Sequence, residues 1–354
     1  MTAAPRGAPR TLVVRLDSAG DVLLAGPAVR AVAAGSSEVT VLCGPAGEAA
    51  ARLLPGVDRV RVYHAPWVSL AAPAVEPADV AELVERLAAD RYDRALVLAS
   101  QHQSPLPAAL LLKLAGVAWV GADSEHYPGS LLQLRHRRAP YRHEAAAALD
   151  LAEAAGFALP PGDFGELRVR PPRDTSALTG GEPYLVVHPG AAVPARTWSA
   201  ERATRAVAAL AGAGHRVVVT GGPDEAELTR RVAGRHALDL GGRTALPELA
   251  GVLSGARAVI AGNTGPAHLA AAVRTPVISL FAPVVRVDRW LPYRVPHLLL
   301  GRQDAPCAGT RARECPVEGH PCLDSITDEE VLAAVDRLIV GGPPCDSIGR
   351  KARA

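Results

Sequence analysis

An α/β protein built on two doubly wound parallel sheets is what the sequence predicts, on three observations. Short apolar runs rich in β-branched residues alternate with Ala- and Leu-rich stretches of helical length. The alternation breaks once, at a Pro-, Arg- and Gly-rich stretch over 168–181, and then starts again. The 354 residues also exceed one typical domain.

Taken in order, residues 11–16 read as a strand, 21–34 as a helix, 39–42 and 59–63 as strands, 77–89 as a helix and 95–99 as a strand. Residues 126–142 are rich in Arg, His and Tyr without a period, which reads as a mobile loop, either a binding surface or merely solvated. The first domain is expected over 1–175 and the second over 182–326. In the second, strands are expected at 184–188, 216–220, 258–261 and 277–281, and helices at 200–211, 224–233, 246–253 and 266–272. A last helix within 327–340 has Thr327 at its N-cap and Glu330 three residues on, a capping-box pattern. It is expected to pack back on the first domain, with 341–354 as a disordered tail.

Composition narrows the function. With 49% hydrophobic and 21% charged residues the chain can bury cores, while a net charge of +2 and 4% aromatics lack the basic, stacking signature of a nucleic-acid binder. Residues 1–10 form a polar arm without the apolar region of a signal peptide, and no apolar run approaches the roughly 20 residues of a membrane span. Peripheral membrane contact stays open. Five cysteines, an odd number, argue against a disulfide framework and for a reducing compartment, the cytoplasm. Lys113 and Lys351 are the only lysines, so arginine carries nearly all positive charge.

Open α/β sheets bind ligands beyond the carboxyl ends of their strands, so the turns leaving strands carry the chemistry. The first such turn, Asp17-Ser18-Ala19-Gly20-Asp21, lacks the three-glycine dinucleotide fingerprint and instead offers two acids. Asp21 is either an acid favoured by the dipole of the helix it opens or a general base. The second, His188-Pro189-Gly190-Ala191 running to Arg196-Thr197-Trp198, combines small residues with an Arg that can grip an anion. As a plain surface turn it would need only Trp198 as its anchor. The third, Gly262-Asn263-Thr264-Gly265-Pro266-Ala267-His268, enters a helix through proline, and its amides with the helix dipole suit a diphosphate. The bland alternative is a capped helix start with a packed His268.

In this order the turns resemble glycosyltransferase family 9, over about residues 11–338. The resemblance rests on Gly20-Asp21-Val22, on His188-Pro189-Gly190 with Arg196-Thr197-Trp198 where the family has Lys-x-Trp, and on Asn263-Thr264-Gly265-Pro266-Ala267-His268 where it has Asp-Thr-Gly-Pro-x-His. Thr275-Pro276-Val277 and Leu280-Phe281-Ala282-Pro283 follow. The resemblance implies a GT-B fold, two Rossmann-like domains facing a cleft, with the acceptor on the first and a nucleotide sugar on the second. It implies inverting, metal-independent transfer of a heptose or related sugar, the donor ADP-linked, to a glycan, lipopolysaccharide-type or secondary-metabolite hydroxyl. No separate cofactor is implied, since the donor is itself the substrate.

By the same resemblance Asp21 and Arg196 are the catalytic pair, base and diphosphate clamp. Asn263, Thr264, Gly265, His268, Gly190, Ala191, Gly221 and Arg243 are expected around the donor, and Asp17, Ser18 and Gly20 on the acceptor side. Two positions depart from the family: Arg196 keeps a charge but changes its shape, and Asn263 drops one. The trio Cys307, Cys315 and Cys322 near His320 offers zinc-type ligands, but spacings of seven and six residues do not match close Cys pairs, so free thiols are expected. The other readings are a nucleotide-sugar epimerase or hydrolase, and a non-catalytic nucleotide-sugar binder. Oligomeric state is left open.

Overall fold

The computed structural model describes residues 7–68 and 72–340, and the chain divides after Pro171 into two compact units. The tail expected over 341–354 lies outside the described residues. The first unit holds strands β1 (Arg10–Arg15), β2 (Glu38–Cys43), β3 (Arg59–Val62), β4 (Arg94–Val97), β5 (Trp119–Asp123) and β6 (Leu134–His136). They pair in parallel in the order β3-β2-β1-β4-β5-β6. Parallel pairing buries a central strand on both faces, which is why 11–14 is a continuous apolar run after Thr11 and Leu12, Val13 and Val14 are almost wholly buried.

The second unit repeats the plan with β7 (Leu185–His188), β8 (Val217–Val219), β9 (Leu238–Asp239), β10 (Ala258–Gly262), β11 (Val277–Leu280) and β12 (His297–Leu300). Their order is β12-β11-β10-β7-β8-β9, all parallel. Each sheet therefore starts at its centre, grows to one edge, and returns to grow to the other. The strand order reverses between β1 and β4 in one sheet and between β7 and β10 in the other, and ligands of open α/β sheets collect at such points.

Two expectations are corrected. The helix over 21–34 is two helices, Ala19–Leu24 and Gly26–Ala34, because Pro27 has no N–H to continue the ladder. The segment 126–142 is not a bare loop: it contains a short 3₁₀ turn, Gly129–Leu131, and the edge strand β6, registered with β5 at Ala122–Arg135 and Asp123–His136. The half-buried side chains of β6 gave no two-residue alternation to read. Finally, the last helix, Asp328–Val340, keeps its capping box, with the Thr327 amide donating to Glu330 Oε2 at 2.7 Å and the Glu330 amide to Thr327 Oγ1 at 3.2 Å. It buries Val331, Ala334 and Val335 in the second unit's core beside Leu323 and Ile326.

Candidate active site

At the β1/β4 switch point the chain leaves β1 through Leu16 and Asp17 and enters the helix Ala19–Leu24 with Asp21 in its first turn. Arg15, the last residue of β1, has a side chain only 3% exposed and organises the group. Its Nη2 donates to Asp21 Oδ1 at 2.9 Å and to Ser100 Oγ at 2.8 Å, its Nη1 to the Leu98 carbonyl at 2.8 Å, and its Nε lies 3.0 Å from Asp17 Oδ2. Burial works against the guanidinium charge, but Asp17, Asp21 and Glu144 more than offset it and hold Arg15 above its ordinary pKa.

Asp17 and Asp21 differ in what is left for a substrate. Both oxygens of Asp17 are taken, Oδ1 by Gln103 Nε2 at 2.5 Å and Oδ2 by Ser100 Oγ at 3.1 Å, and burial pushes its carboxyl up despite Arg15. Asp21 retains 17% exposure, and the hydroxyl of exposed Ser18 donates to its Oδ2 at 2.8 Å. Gly20 is buried beneath this turn. The charges continue inward: Glu144, 3.9 Å from Arg15, pairs with Arg138 at 2.5 Å, and Arg138 reaches Asp123 at 3.2 Å.

The β7/β10 switch point gathers the other two turns. A Cβ on Gly262 would meet the Arg196 carbonyl at 3.1 Å, so the backbone carrying Arg196 packs on the end of β10 and only a small residue fits there. Arg196 closes the short 3₁₀ turn Pro194–Arg196, half-buried, while Trp198 is 1% exposed in the core and anchors the turn. Asn263 is buried and its Oδ1 accepts from the Ala282 amide at 3.4 Å, whereas its Nδ2 has no partner among the described residues. Thr264 caps the helix Gly265–Ala272 in extended conformation without a side-chain cap bond, and His268 is buried one turn in. The Thr264 amide turns onto the Gly262 carbonyl at 2.8 Å and the Ala267 amide onto the Thr264 carbonyl at 3.2 Å, which leaves the Gly265 amide and the positive end of the helix dipole as what this turn can present to an anion.

Beside it, Gly190 and Gly221 are cut to fit Glu225. A Cβ on Gly190 would overlap the Glu225 carboxylate, and one on Gly221 would stand 3.1 Å from the Glu225 Cβ. The carboxylate accepts from the Gly222 amide at 2.8 Å and lies 3.6 Å from His188 Nε2. Ala191 is half-buried next to Gly190. Arg243 is exposed past β9, its Nη1 on the Asp239 carbonyl at 3.3 Å, and the neighbouring Gly242 amide donates to Gly221 at 2.9 Å.

Against this geometry, the family model described as "Glycosyltransferase family 9 (heptosyltransferase)" matches residues 80–320, more than half of the chain. The chain belongs to glycosyltransferase family 9. It is 33% identical to lipopolysaccharide heptosyltransferase 3 of Escherichia coli K12 over 49% of this chain and 51% of that protein, and 27% identical to lipopolysaccharide heptosyltransferase 1 of the same strain over 77% and 88%. The chain thus spans about half the length of the heptosyltransferases 3 it matches. Among solved structures, a family 9 protein from Veillonella parvula superposes with a TM-score of 0.76 at 18% identity, covering 94% of this chain and 97% of that one. The E. coli ADP-heptose heptosyltransferase II superposes at 0.72 and 19%, covering 93% and 98%. The GT-B class of fold expected from the sequence is therefore the fold of this family 9 chain, two parallel six-stranded Rossmann-like sheets.

Several residues of these groupings had no expected role from the sequence: Arg15, Ser100, Gln103, Asp123, Arg138, Glu144 and Glu225. Arg15 and Glu225 lie inside or just beyond turns already singled out, and an arginine ending a buried strand two residues before an acid was the available signal. Gln103 sits in a region without periodicity. The cysteines Cys43, Cys307, Cys315 and Cys322 are all free, and among the described residues no three of His, Cys, Asp or Glu converge as metal ligands. His320 Nε2 instead lies 3.2 Å from the Ala195 carbonyl.

His188 makes the second unit sensitive to acid. Burial lowers its pKa below the ordinary 6.5, and Glu225 only partly opposes this. The folded state resists a proton that the unfolded chain accepts, so the contribution of His188 is complete above pH 6.5 and is lost as pH falls toward the lowered value. Urea titrations from pH 7.5 to 5 should show stability falling by up to about 1.4 kcal/mol per pH unit from this group. A His188→Gln protein with an equally steep fall would remove His188 as the cause.

Proposed function

We propose that this family 9 chain is an inverting, metal-independent glycosyltransferase that moves a heptose or related sugar from an ADP-linked donor to a hydroxyl of a lipopolysaccharide-type or other glycan acceptor. The observation that carries the reading is the gathering of the Arg196 turn and the 262–268 turn at one switch point, where a helix N-terminus and a guanidinium suit a diphosphate. The names of the relatives, lipopolysaccharide heptosyltransferases, support the sugar and acceptor class. A related heptosyltransferase, WaaC of E. coli, has been solved with ADP, which supports the adenine nucleotide. A cytoplasmic site of action remains part of the proposal, and no helix among the described residues is long and apolar enough to cross a membrane.

In this mechanism the first unit holds the acceptor and the second the donor. Asp21 takes the proton of the acceptor hydroxyl as its oxygen bonds to the anomeric carbon, and the bond from that carbon to the β-phosphate oxygen breaks. The sugar inverts, and ADP leaves with the bonding electrons. Arg196 and the Gly265 amide, with the N-terminus of the helix that Thr264 opens, neutralise the charge that grows on the departing diphosphate, the stage at which fixed donors lower a barrier most. Gly190, Ala191, Gly221 and Arg243 border the nucleotide. The Asn263 side-chain NH₂, buried without a partner, donates to a donor-sugar or phosphate oxygen, since leaving it unmet costs about 1–3 kcal/mol.

The test is a calorimetric titration with ADP, GDP, UDP, dTDP and ADP-heptose. Selective binding of ADP and ADP-heptose is expected; preference for another base would replace the donor, and binding of none would remove the donor site. Arg196→Ala should weaken ADP binding by about tenfold or more, in line with loss of one charge-assisted contact worth roughly 1.5–3 kcal/mol. An unchanged dissociation constant would take Arg196 off the diphosphate.

A further inference from the structure

Between β12 and the last helix the chain runs from Gly301 to Asp324 with no regular element except the four-residue helix Pro321–Asp324. Segments of this length without structure of their own are uncommon in compact domains and tend to serve a site. This one is fastened inward by Ala305, Cys307, Cys322 and Leu323, all buried in the second unit's core, which gives two of the free cysteines a use as small apolar anchors. Along its length it meets both turns of the β7/β10 switch point. The Gly309 amide donates to the Pro283 carbonyl and the Arg311 amide to the Val284 carbonyl, each at 2.8 Å, just beyond the Ala282 amide that donates to Asn263.

Its firmer grip is on Ala195, the residue before Arg196. The Ala195 amide donates to the Arg313 carbonyl at 2.9 Å, and the Ala195 carbonyl accepts from His320 Nε2 at 3.2 Å. A carbonyl only accepts, so Nε2 carries the proton. Ala195 is buried, so neither of its backbone groups can turn to water instead. Its carbonyl shares a peptide plane with the Arg196 amide, which closes the 3₁₀ turn on the Val193 carbonyl at 2.9 Å. Fixing that plane fixes the direction in which the Arg196 side chain leaves the backbone. His320 itself is held at φ +46°, ψ +51°, a left-handed conformation that costs a residue with a Cβ and persists where its surroundings enforce it, as they do at functional sites.

We propose that His320 is a positioning residue for Arg196: by holding the Ala195 carbonyl from 125 residues further along the chain, it sets the guanidinium for the diphosphate, acting through the backbone. The inference rests on the reading of Arg196 as the diphosphate clamp. Without the imidazole N–H the buried Ala195 carbonyl has lost its donor, and the 3₁₀ turn regains one only by shifting, which carries Arg196 with it.

The full-length protein should be titrated calorimetrically with ADP, and unfolded in urea, as the parent and as His320→Leu, His320→Gln and His320→Asn, each also in the Arg196→Ala background. His320→Leu is expected to weaken ADP binding about fivefold, the worth of one buried hydrogen bond. The Gln Nε2 stands as many bonds from Cα as the imidazole Nε2, so His320→Gln should stay within about twofold of the parent. Asn suits left-handed backbone but reaches one bond less far, so His320→Asn should fold as the parent does and bind ADP as weakly as the Leu form. In the Arg196→Ala background none of the three should change ADP affinity by more than about twofold, because the effect runs through Arg196. Unaltered ADP binding by the Leu and Asn forms would overturn the proposal and leave Arg196 on the diphosphate, whatever their urea stability. A Gln form as weak as the Leu form, or an undiminished loss without Arg196, would overturn it equally. If Arg196→Ala leaves ADP affinity unchanged, or the parent binds no ADP, the clamp and its positioning residue fall together.

Discussion

Replacing Asp21 with Asn is expected to lower the turnover of sugar transfer by about 10²- to 10⁴-fold, the contribution of a well-placed general base, and to leave ADP affinity within about twofold. The substitution is nearly isosteric. Asn keeps an oxygen for Arg15 Nη2 and a polar group for Ser18, so the turn into the helix Ala19–Leu24 has its contacts preserved while the ability to accept a proton is lost. The loss should therefore appear in kcat, measured with acceptor at saturation, rather than in donor binding. Turnover equal to that of the parent protein would remove Asp21 from proton transfer and move attention to another acid of the first unit.

The second large effect is structural. Arg15→Met should cost about 3–5 kcal/mol of stability, the range for removing one partner of a buried ion pair, because Asp17, Asp21 and Glu144 would be left without their shared cation. Arg15→Lys keeps the charge but cannot reach Asp17, Asp21 and the Leu98 carbonyl at once, so it should lie between the two. Urea unfolding read by circular dichroism gives the comparison. A Met variant within about 1 kcal/mol of the parent would mean that water or a proton neutralises the carboxylates in place of the arginine.

Much of this was legible in the residues. Parallel strands buried on both faces are written as β-branched runs, so 11–16, 39–42, 184–188 and 258–261 announced the inner strands of both sheets, and the turns following 16, 188 and 261 are those the switch points gather into the candidate site. Less legible were elements whose side chains face water or carry charge. Strand β6, Leu134-Arg135-His136, has no apolar alternation because Arg135 serves the Ser124 carbonyl and His136 pairs with Asp123. The edge strands β9 and β12 are half-buried throughout and equally faint. The partnerships of Arg15 with Ser100 and of Asp17 with Gln103 span more than 80 residues and exist only once β1 and β4 lie side by side.

The shared strand order has a consequence for how each unit comes apart. In both sheets the turns that bear Asp21, Arg196 and Asn263 hang from the innermost strands, β1, β7 and β10, flanked by hydrogen-bonded neighbours on either side. Edge strands open first in native-state exchange, and central ones exchange only near global unfolding. Fraying of β3, β6, β9 or β12 would thus erode the periphery of each unit while these turns stay tethered to the slowest-exchanging backbone.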